Sequence, residues 1–455
     1  MLKEQPWFTL AEGLSIEVQQ SRDEGKEVEG FAEKVKAIQA MDPDDPEREA
    51  RAAEVYDELQ KLPVRDGYSY IEPSELEAIK KARPYHDLSM KPNAEGLKDD
   101  VLLDKVYGAW LGRCAGCLLG QPIEGWRRER IVGLLQETGN YPFKYYISSD
   151  VSEEIRRKYG LLDHRKNWIN NVQCMPEDDD LNYTVIGLKL LEEYGPNFTP
   201  DDVAECWLAN LPILHLCTAE RVAYKNFVNR VFPPVSAYFR NPYREWIGAQ
   251  IRADFFGYIA PGRPEVAAEM AWRDASISHV KNGIYGEMFV AAMLSAAAVT
   301  DDVEEIIHCG LSQIPEKSRL SEAIKSVLEF KKNGLSWEQA IDEVHKKYDE
   351  KNSHDWCHVI PNAMIVCIGL LYGGLDFEKS IGTAVLGAFD TDCNGATVGS
   401  IVGMVLGAKA LPEKWIKPLN NRLKSGVNGF GLVEISELAR RTAFMARKIL
   451  AGVSH

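Results

Sequence analysis

Glycine recurs every fourth residue at Gly108, Gly112, Gly116 and Gly120, and again at Gly395, Gly399, Gly403 and Gly407. Four residues is close to one turn of an α-helix, so each set lies along one helical face. Inside a helix each glycine costs ~1 kcal/mol relative to alanine. That cost is tolerable where another backbone must approach the face more closely than side chains would allow. The two ladders therefore predict tightly packed core helices. Each abuts a cluster of polar residues, which makes the ladders useful as position markers.

One acidic cluster, Glu177-Asp178-Asp179-Asp180, immediately precedes an apolar helix that starts at Leu181. Another, Asp390-Thr391-Asp392, immediately precedes the second ladder. Acids at a helix start have an ordinary use, since they cap orphan N–H groups and favour the positive end of the dipole. Two features point beyond capping. Asp390 and Asp392 interrupt a nearly uncharged stretch from Ser380 to Ala408, where a lone carboxylate is costly unless paired or metal-bound. The clusters also come from distant parts of the chain, and each opens a core helix. Hard divalent cations such as Mg²⁺ take carboxylate and water oxygens. Two such helix starts, if they met, would hold one or two of these ions.

Helical periodicity extends over Leu181–Tyr194, Pro264–Asp274, Gly286–Val299, Ser318–Lys332, Trp337–Tyr348 and Val433–Ala451, and strand-like alternation is scarce. The fold class is all-α. Residues 127–173 read as an irregular insertion. Residues 1–98 differ from the rest. Phe31, Val35 and Ile38, then Val55, Tyr56 and Leu59, mark two amphipathic helices separated by the Asp42–Pro46 bend, and a proline-rich connector follows from Pro63. The expected division is an N-terminal helical appendage over 1–98 and a catalytic domain over 99–455.

The formal charge of −15 argues against a nucleic-acid partner. The longest uncharged stretches, Val359–Leu375 and Asn394–Ala408, fall short of a membrane span. No leader pattern opens the chain, and the nine dispersed cysteines read as reduced thiols, so a cytoplasmic protein with no membrane partner is expected. Cys114 and Cys117 have C-x-x-C spacing without the second pair that a structural zinc site needs.

The stretch Asp104-Lys105-Val106-Tyr107-Gly108-Ala109-Trp110-Leu111-Gly112, continuing through Gly116 and Gly120 to Pro122 and Glu124, resembles the first helix of ADP-ribosylglycohydrolases, including the dinitrogenase-reductase-activating glycohydrolase type. Three matches follow in order. The run 177–180 falls at the family's Thr-Asp-Asp-Thr metal motif. Ser278-His279 falls where the family has Ser/Thr-His before a glycine-led helix. Asp390-Thr391-Asp392-Cys393 falls at its terminal Asp-x-Asp-Thr. The resemblance covers roughly residues 102–420 and implies a compact orthogonal helix bundle that cleaves a glycosidic bond at a ribosyl-type anomeric carbon.

It also implies roles. Asp178, Asp179, Asp180, Asp390 and Asp392 would hold one or two Mg²⁺ ions, with Mn²⁺ as an alternative. Glu124, Asp179 and Asp392 would serve catalysis, with Glu124 near the substrate. The substrate would be a ribose-containing small molecule or an ADP-ribosylated protein. His279 and Asn394 would join the substrate site. Arg252, Asp254, Tyr285 and Glu287, in two polar–aromatic stretches, are read as lining a sugar or nucleotide pocket, with a satisfied buried ion pair as the equal alternative for Arg252 and Asp254.

The chain departs from the family at Cys117, where many members have Asp, at Cys393, where the last motif has Thr, and at Glu177. Thiols are poor magnesium ligands. The register of the first motif admits Asp178 with Asp179, or Asp179 with Asp180. Rival readings are a same-fold hydrolase of a small glycoside or nucleoside, a non-catalytic binding protein, and an HD-type phosphohydrolase cued by His86-Asp87 and His354-Asp355.

Overall fold

The computed structural model describes residues 9–84, 97–163 and 167–452; the His86-Asp87 doublet lies outside them. Twenty-two α-helices and one short β-ribbon, Arg422–Lys424 with Leu432–Glu434, are found among the described residues. The all-α class holds. None of these helices is long and apolar enough to cross a membrane.

The two ladders are each other's partners. The helix Asp99–Gly120 runs antiparallel to Thr391–Leu406, so that Gly108 faces Gly403, Gly112 faces Gly399, Gly116 faces Gly395 and Gly120 faces Thr391. A Cβ on Gly108, Gly112, Gly116 or Gly120 would come within 3.0 Å of backbone atoms across the interface, closer than real Cβ atoms approach. The pair forms the axis of the main core, with Lys281–Ala297 and Val359–Gly373 buried along nearly their whole lengths around it. This antiparallel register has a functional consequence: it sets the end of the first ladder against the acidic start of the second.

The helices read from periodicity form within a few residues of the expected limits, as Asp179–Tyr194, Pro264–Ala275, Lys281–Ala297, Arg319–Lys332, Trp337–Lys347 and Ile435–Leu450. The stretch 127–173 is less irregular than expected, because Arg128–Glu137 and Glu153–Tyr159 are helical.

At the N-terminal end, Leu10–Asp23, Phe31–Gln39 and Pro46–Lys61 enclose an apolar cluster of their own that includes Leu14, Val35, Ile38, Val55, Tyr56 and Leu59. Periodicity missed the first of these helices. Its inner face is partly polar, and it docks through ions: Glu17 and Glu24 pair with the buried Arg244 at 2.6 and 2.8 Å, and Gln20 donates to Glu245 at 2.8 Å. The connector then crosses the main body, where Glu72 pairs with Arg319 at 2.9 Å and Trp272 donates to the Ser74 carbonyl.

Candidate metal centre

The last turn of the first ladder helix ends at Gly120, whose carbonyl accepts a hydrogen bond from the Thr391 hydroxyl at 3.0 Å. Asp390 is the N-cap residue of the second ladder helix and Asp392 lies in its first turn. Ala388 and Phe389, just before them, are both left-handed, with φ of 57° and 56°. Neither is glycine, so this turn carries backbone strain of the kind that recurs at functional sites. The turn sends the chain into a helix start where Asp390 and Asp392 are almost fully buried.

The helix Asp179–Tyr194 begins at the same place. Asp178 is its N-cap, accepting from the Asp180 amide at 3.0 Å, and Gln121 holds the other Asp178 oxygen at 2.6 Å. Asp180 is fully buried and is gripped by Arg113, which pairs with its carboxylate at 3.2 Å and donates to its carbonyl at 2.8 Å. Three sets of ligand atoms meet here, each set with its members within 4.8 Å of one another: Cys117–Asp178–Asp180, Asp180–Asp392–Cys393 and Glu124–Asp390–Asp392. Asp179 is half-buried, in the field of Asp178, Asp180, Glu124 and Asp390.

Among the described residues Arg113 is the one cation paired with any of the five aspartates. Burial, reinforced by the neighbouring negative charges, pushes the carboxyls of Asp179 and Asp392 well above the usual range. Burial raises Asp180 too, against the pull of Arg113, and raises Asp390 despite hydrogen bonds from its neighbours. Buried oxygens of Asp390, Asp392 and Asn394 have no hydrogen-bond partner. Converging carboxylates with unsatisfied buried oxygens and one arginine between them fit a hard divalent cation, which would remove both the repulsion and the desolvation cost.

In the first motif Asp178, at the N-cap, and Asp180, in the first turn, share a ligand set with Cys117 of the ladder helix, while Asp179 is half-buried beside them. Glu177 turns away to contact His215 and Asn182, in space left by Gly426.

The expected substrate pocket around Arg252 requires correction. Arg252 is 1% exposed and closed on all sides: it bonds Asp274 at 2.5 Å, Glu220 at 2.8 Å and the Ser278 hydroxyl at 3.0 Å, pairs with Glu287 at 3.6 Å, and lies over Trp207. His279 is fully buried against Ser278 at 2.8 Å in the same network. Asp254 is buried behind the acid centre, paired with Arg113 at 2.8 Å. Tyr285 is buried and donates to the Pro73 carbonyl. All of these side chains are buried, and the charged ones face partners of opposite charge. Asn394 stays beside the centre, donating to Asn362 at 2.8 Å, and Asn362 also accepts from the Asp390 amide.

Sequence reasoning missed Arg113, Gln121 and Asn362. A signal existed for Arg113, the one charged residue between Val106 and Gly120.

A second cluster joins Asp23, His354 and His358, again within 4.8 Å. Its tautomers oppose a metal. Trp246 donates its indole N–H to His354 Nδ1 and the Ile360 amide donates to His358 Nδ1, both at 3.2 Å. Each neutral imidazole must then carry its proton on Nε2, the nitrogen left for coordination. His354 accordingly donates to Asp23 at 3.0 Å. Asp355 faces elsewhere, accepting from the Asp349 amide, so this His-Asp doublet is no HD-type metal pair.

Comparison with known proteins bears on the same region. The profile of the ADP-ribosylglycohydrolase family matches residues 98–448. A solved structure described as an ADP-ribosylglycohydrolase-related protein complex aligns at 17% identity with a TM-score of 0.46, covering 77% of this chain and 99% of that one, a likeness too loose to argue from. No curated protein matches the sequence.

Proposed function

The chain belongs to the ADP-ribosylglycohydrolase family, an enzyme family of glycosyl-hydrolase type, and from that premise we propose that it is a magnesium-dependent hydrolase of an N- or O-glycosidic bond at the anomeric carbon of an ADP-ribosyl group. The observation that carries the magnesium reading is the convergence of two acidic helix starts with unsatisfied buried oxygens. Asp178, Asp179, Asp180, Asp390 and Asp392 would hold the metal, and Mn²⁺ would also suit these oxygen donors. When bound, the metal supplies Lewis-acid charge for the ribose hydroxyls and an attacking water.

The chain's own groups do the rest. Glu124 is exposed at the rim, with its carboxylate within 4.8 Å of those of Asp390 and Asp392. There it can take a proton from a water lying between the acids and the anomeric carbon, the part a carboxylate plays in glycoside hydrolysis. Asp179, half-buried, is placed to orient the same water. Gln121 and Arg113 are positioning residues, fixing Asp178 and Asp180 from behind. The reaction forms a C–O bond from water to the anomeric carbon and breaks the glycosidic bond, the leaving group departing with a proton. The conjugate itself is ADP-ribosylated protein or a small ADP-ribose conjugate.

The test is release of ADP-ribose from ADP-ribosyl-arginine, ADP-ribosyl-serine and O-acetyl-ADP-ribose, with simple nucleosides in parallel, each with and without Mg²⁺. Magnesium-dependent release from one conjugate is the expected result. Turnover of the nucleosides alone would replace the substrate class, and no turnover of any would reject the reading.

A further inference from the structure

Two of the three ligand sets at the centre contain sulfur. Cys117 stands with Asp178 and Asp180, and Cys393 with Asp180 and Asp392, so the two thiols share Asp180 as a common neighbour. Arg113 occupies one Asp180 oxygen at 3.2 Å, and the other lies 3.8 Å from the Cys117 sulfur. Cys117 is fully buried and Cys393 nearly so. Beside them the buried Asp392 keeps an oxygen with no hydrogen-bond partner. The third set, Glu124–Asp390–Asp392, has oxygen donors alone.

These halves differ in chemistry. Oxygen donors suit magnesium, which demands near-octahedral geometry and binds thiols poorly. A set of thiolates and carboxylates suits zinc, which takes Cys sulfur and Asp oxygen in a four-coordinate shell and keeps a bound thiol deprotonated. We propose that Cys117 and Cys393, with the Asp180 they share and Asp392, form a four-donor thiolate–carboxylate site for a borderline divalent metal such as zinc, beside an oxygen-only magnesium position.

The proposal rests on the reading of the helix starts as a metal centre, but not on the substrate. Binding converts each thiol to a thiolate, its proton leaving to solvent, with no change of oxidation state. A third thiol provides an internal comparison. Cys357 donates to Asp390 at 3.8 Å but belongs to none of the ligand sets.

Cobalt(II) is the probe, because Co²⁺ bound to thiolate absorbs in the near ultraviolet by ligand-to-metal charge transfer and Co²⁺ bound to oxygen alone does not. Metal-free full-length protein is titrated with Co²⁺ in saturating Mg²⁺. The expected result is a saturable charge-transfer band that zinc removes and further magnesium leaves unchanged. It should fall by about half in Cys117→Ser and in Cys393→Ser, vanish in the double variant, and persist in Cys357→Ser. Absence of the band in the wild-type protein overturns the proposal without reliance on any variant, as does a band unmoved by either substitution. Magnesium-supported ADP-ribose release without the band would sink this inference alone. The band without any release would sink the proposed function alone.

Discussion

Around Arg252, three acids, Glu220, Asp274 and Glu287, surround one guanidinium in a wholly buried network. At the helix starts five aspartates and Glu124 gather, and among the described residues Arg113 is the one cation paired with any of the aspartates, through Asp180; it also pairs with Asp254 beneath them. In the first region the guanidinium pairs with all three acids and every partner is buried, although both Glu287 oxygens lack a hydrogen bond. In the second, Asp390 and Asp392 pair with no cation among the described residues, and an exposed glutamate, Glu124, lies beside them. Abundance of buried charge does not separate a site from a structural network. Who supplies the balancing charge, and whether solvent reaches it, does.

That contrast breaks most visibly at Arg252. Arg252→Met strands three buried acids, and loss of one partner from a buried pair costs ~3–5 kcal/mol. Thermal unfolding should show a large fall in Tm that added Mg²⁺ does not restore selectively. A variant as stable as the wild type would mean that the acids there are already protonated and need no cation.

The ladder gives the next effect. Gly112→Ala places a methyl against the Gly399 backbone, and overpacking of this kind costs ~1–3 kcal/mol. Because the same helices carry Arg113 and Cys117 against Asp180 on one side and Asp392 on the other, activity should fall along with stability. Full activity with reduced stability would show that the ladder does not control the centre.

How much of this was legible beforehand follows from where each signal lies. Ladder helices and most others could be read because their apolar runs are long and keep helical periodicity. Convergence of Asp180 with Asp392 could not be derived from spacing, since it depends on Gly120 meeting Thr391 and on Arg113 and Gln121 docking a third helix start beside them; resemblance to a family supplied the expectation. For Arg252 and Asp254 the structure has the buried ion pairs that were the equal alternative, since a polar–aromatic stretch reads the same whether it lines a cleft or closes on itself. Leu10–Asp23 escaped because Glu17, Gln20 and Ser21 turn inward to polar partners, which hides helical periodicity.

The docking of that helix gives a pH test. Burial alone would raise Glu24 and Glu72, but Arg244 and Arg319 outweigh it and hold both carboxyls below the ordinary value of 4.5. A depressed carboxyl contributes stability above its unfolded value and loses it as pH falls. The N-terminal helices should therefore loosen as pH drops below about 4.5, measured by hydrogen exchange of residues 10–61. Protection unchanged down to strongly acid pH would show that apolar contacts dominate the docking.

Asp392→Asn should perturb stability least. It removes one charge from a crowded set, so the metal-free variant should melt no lower than the wild type. Turnover should nonetheless fall by more than the ~10–100-fold that loss of an outer-shell partner costs. Retained turnover with a lower Tm would make Asp392 a structural cap.

The central claim is that these aspartates await a cation that no described residue supplies. Calorimetric titration of Mg²⁺ into metal-free wild-type protein and into Asp392→Asn tests it directly. Saturable binding to the wild type, weakened at least about tenfold in the variant, a difference of ~1.4 kcal/mol, is the predicted result. No binding to the wild type, or equal binding to both, would contradict it.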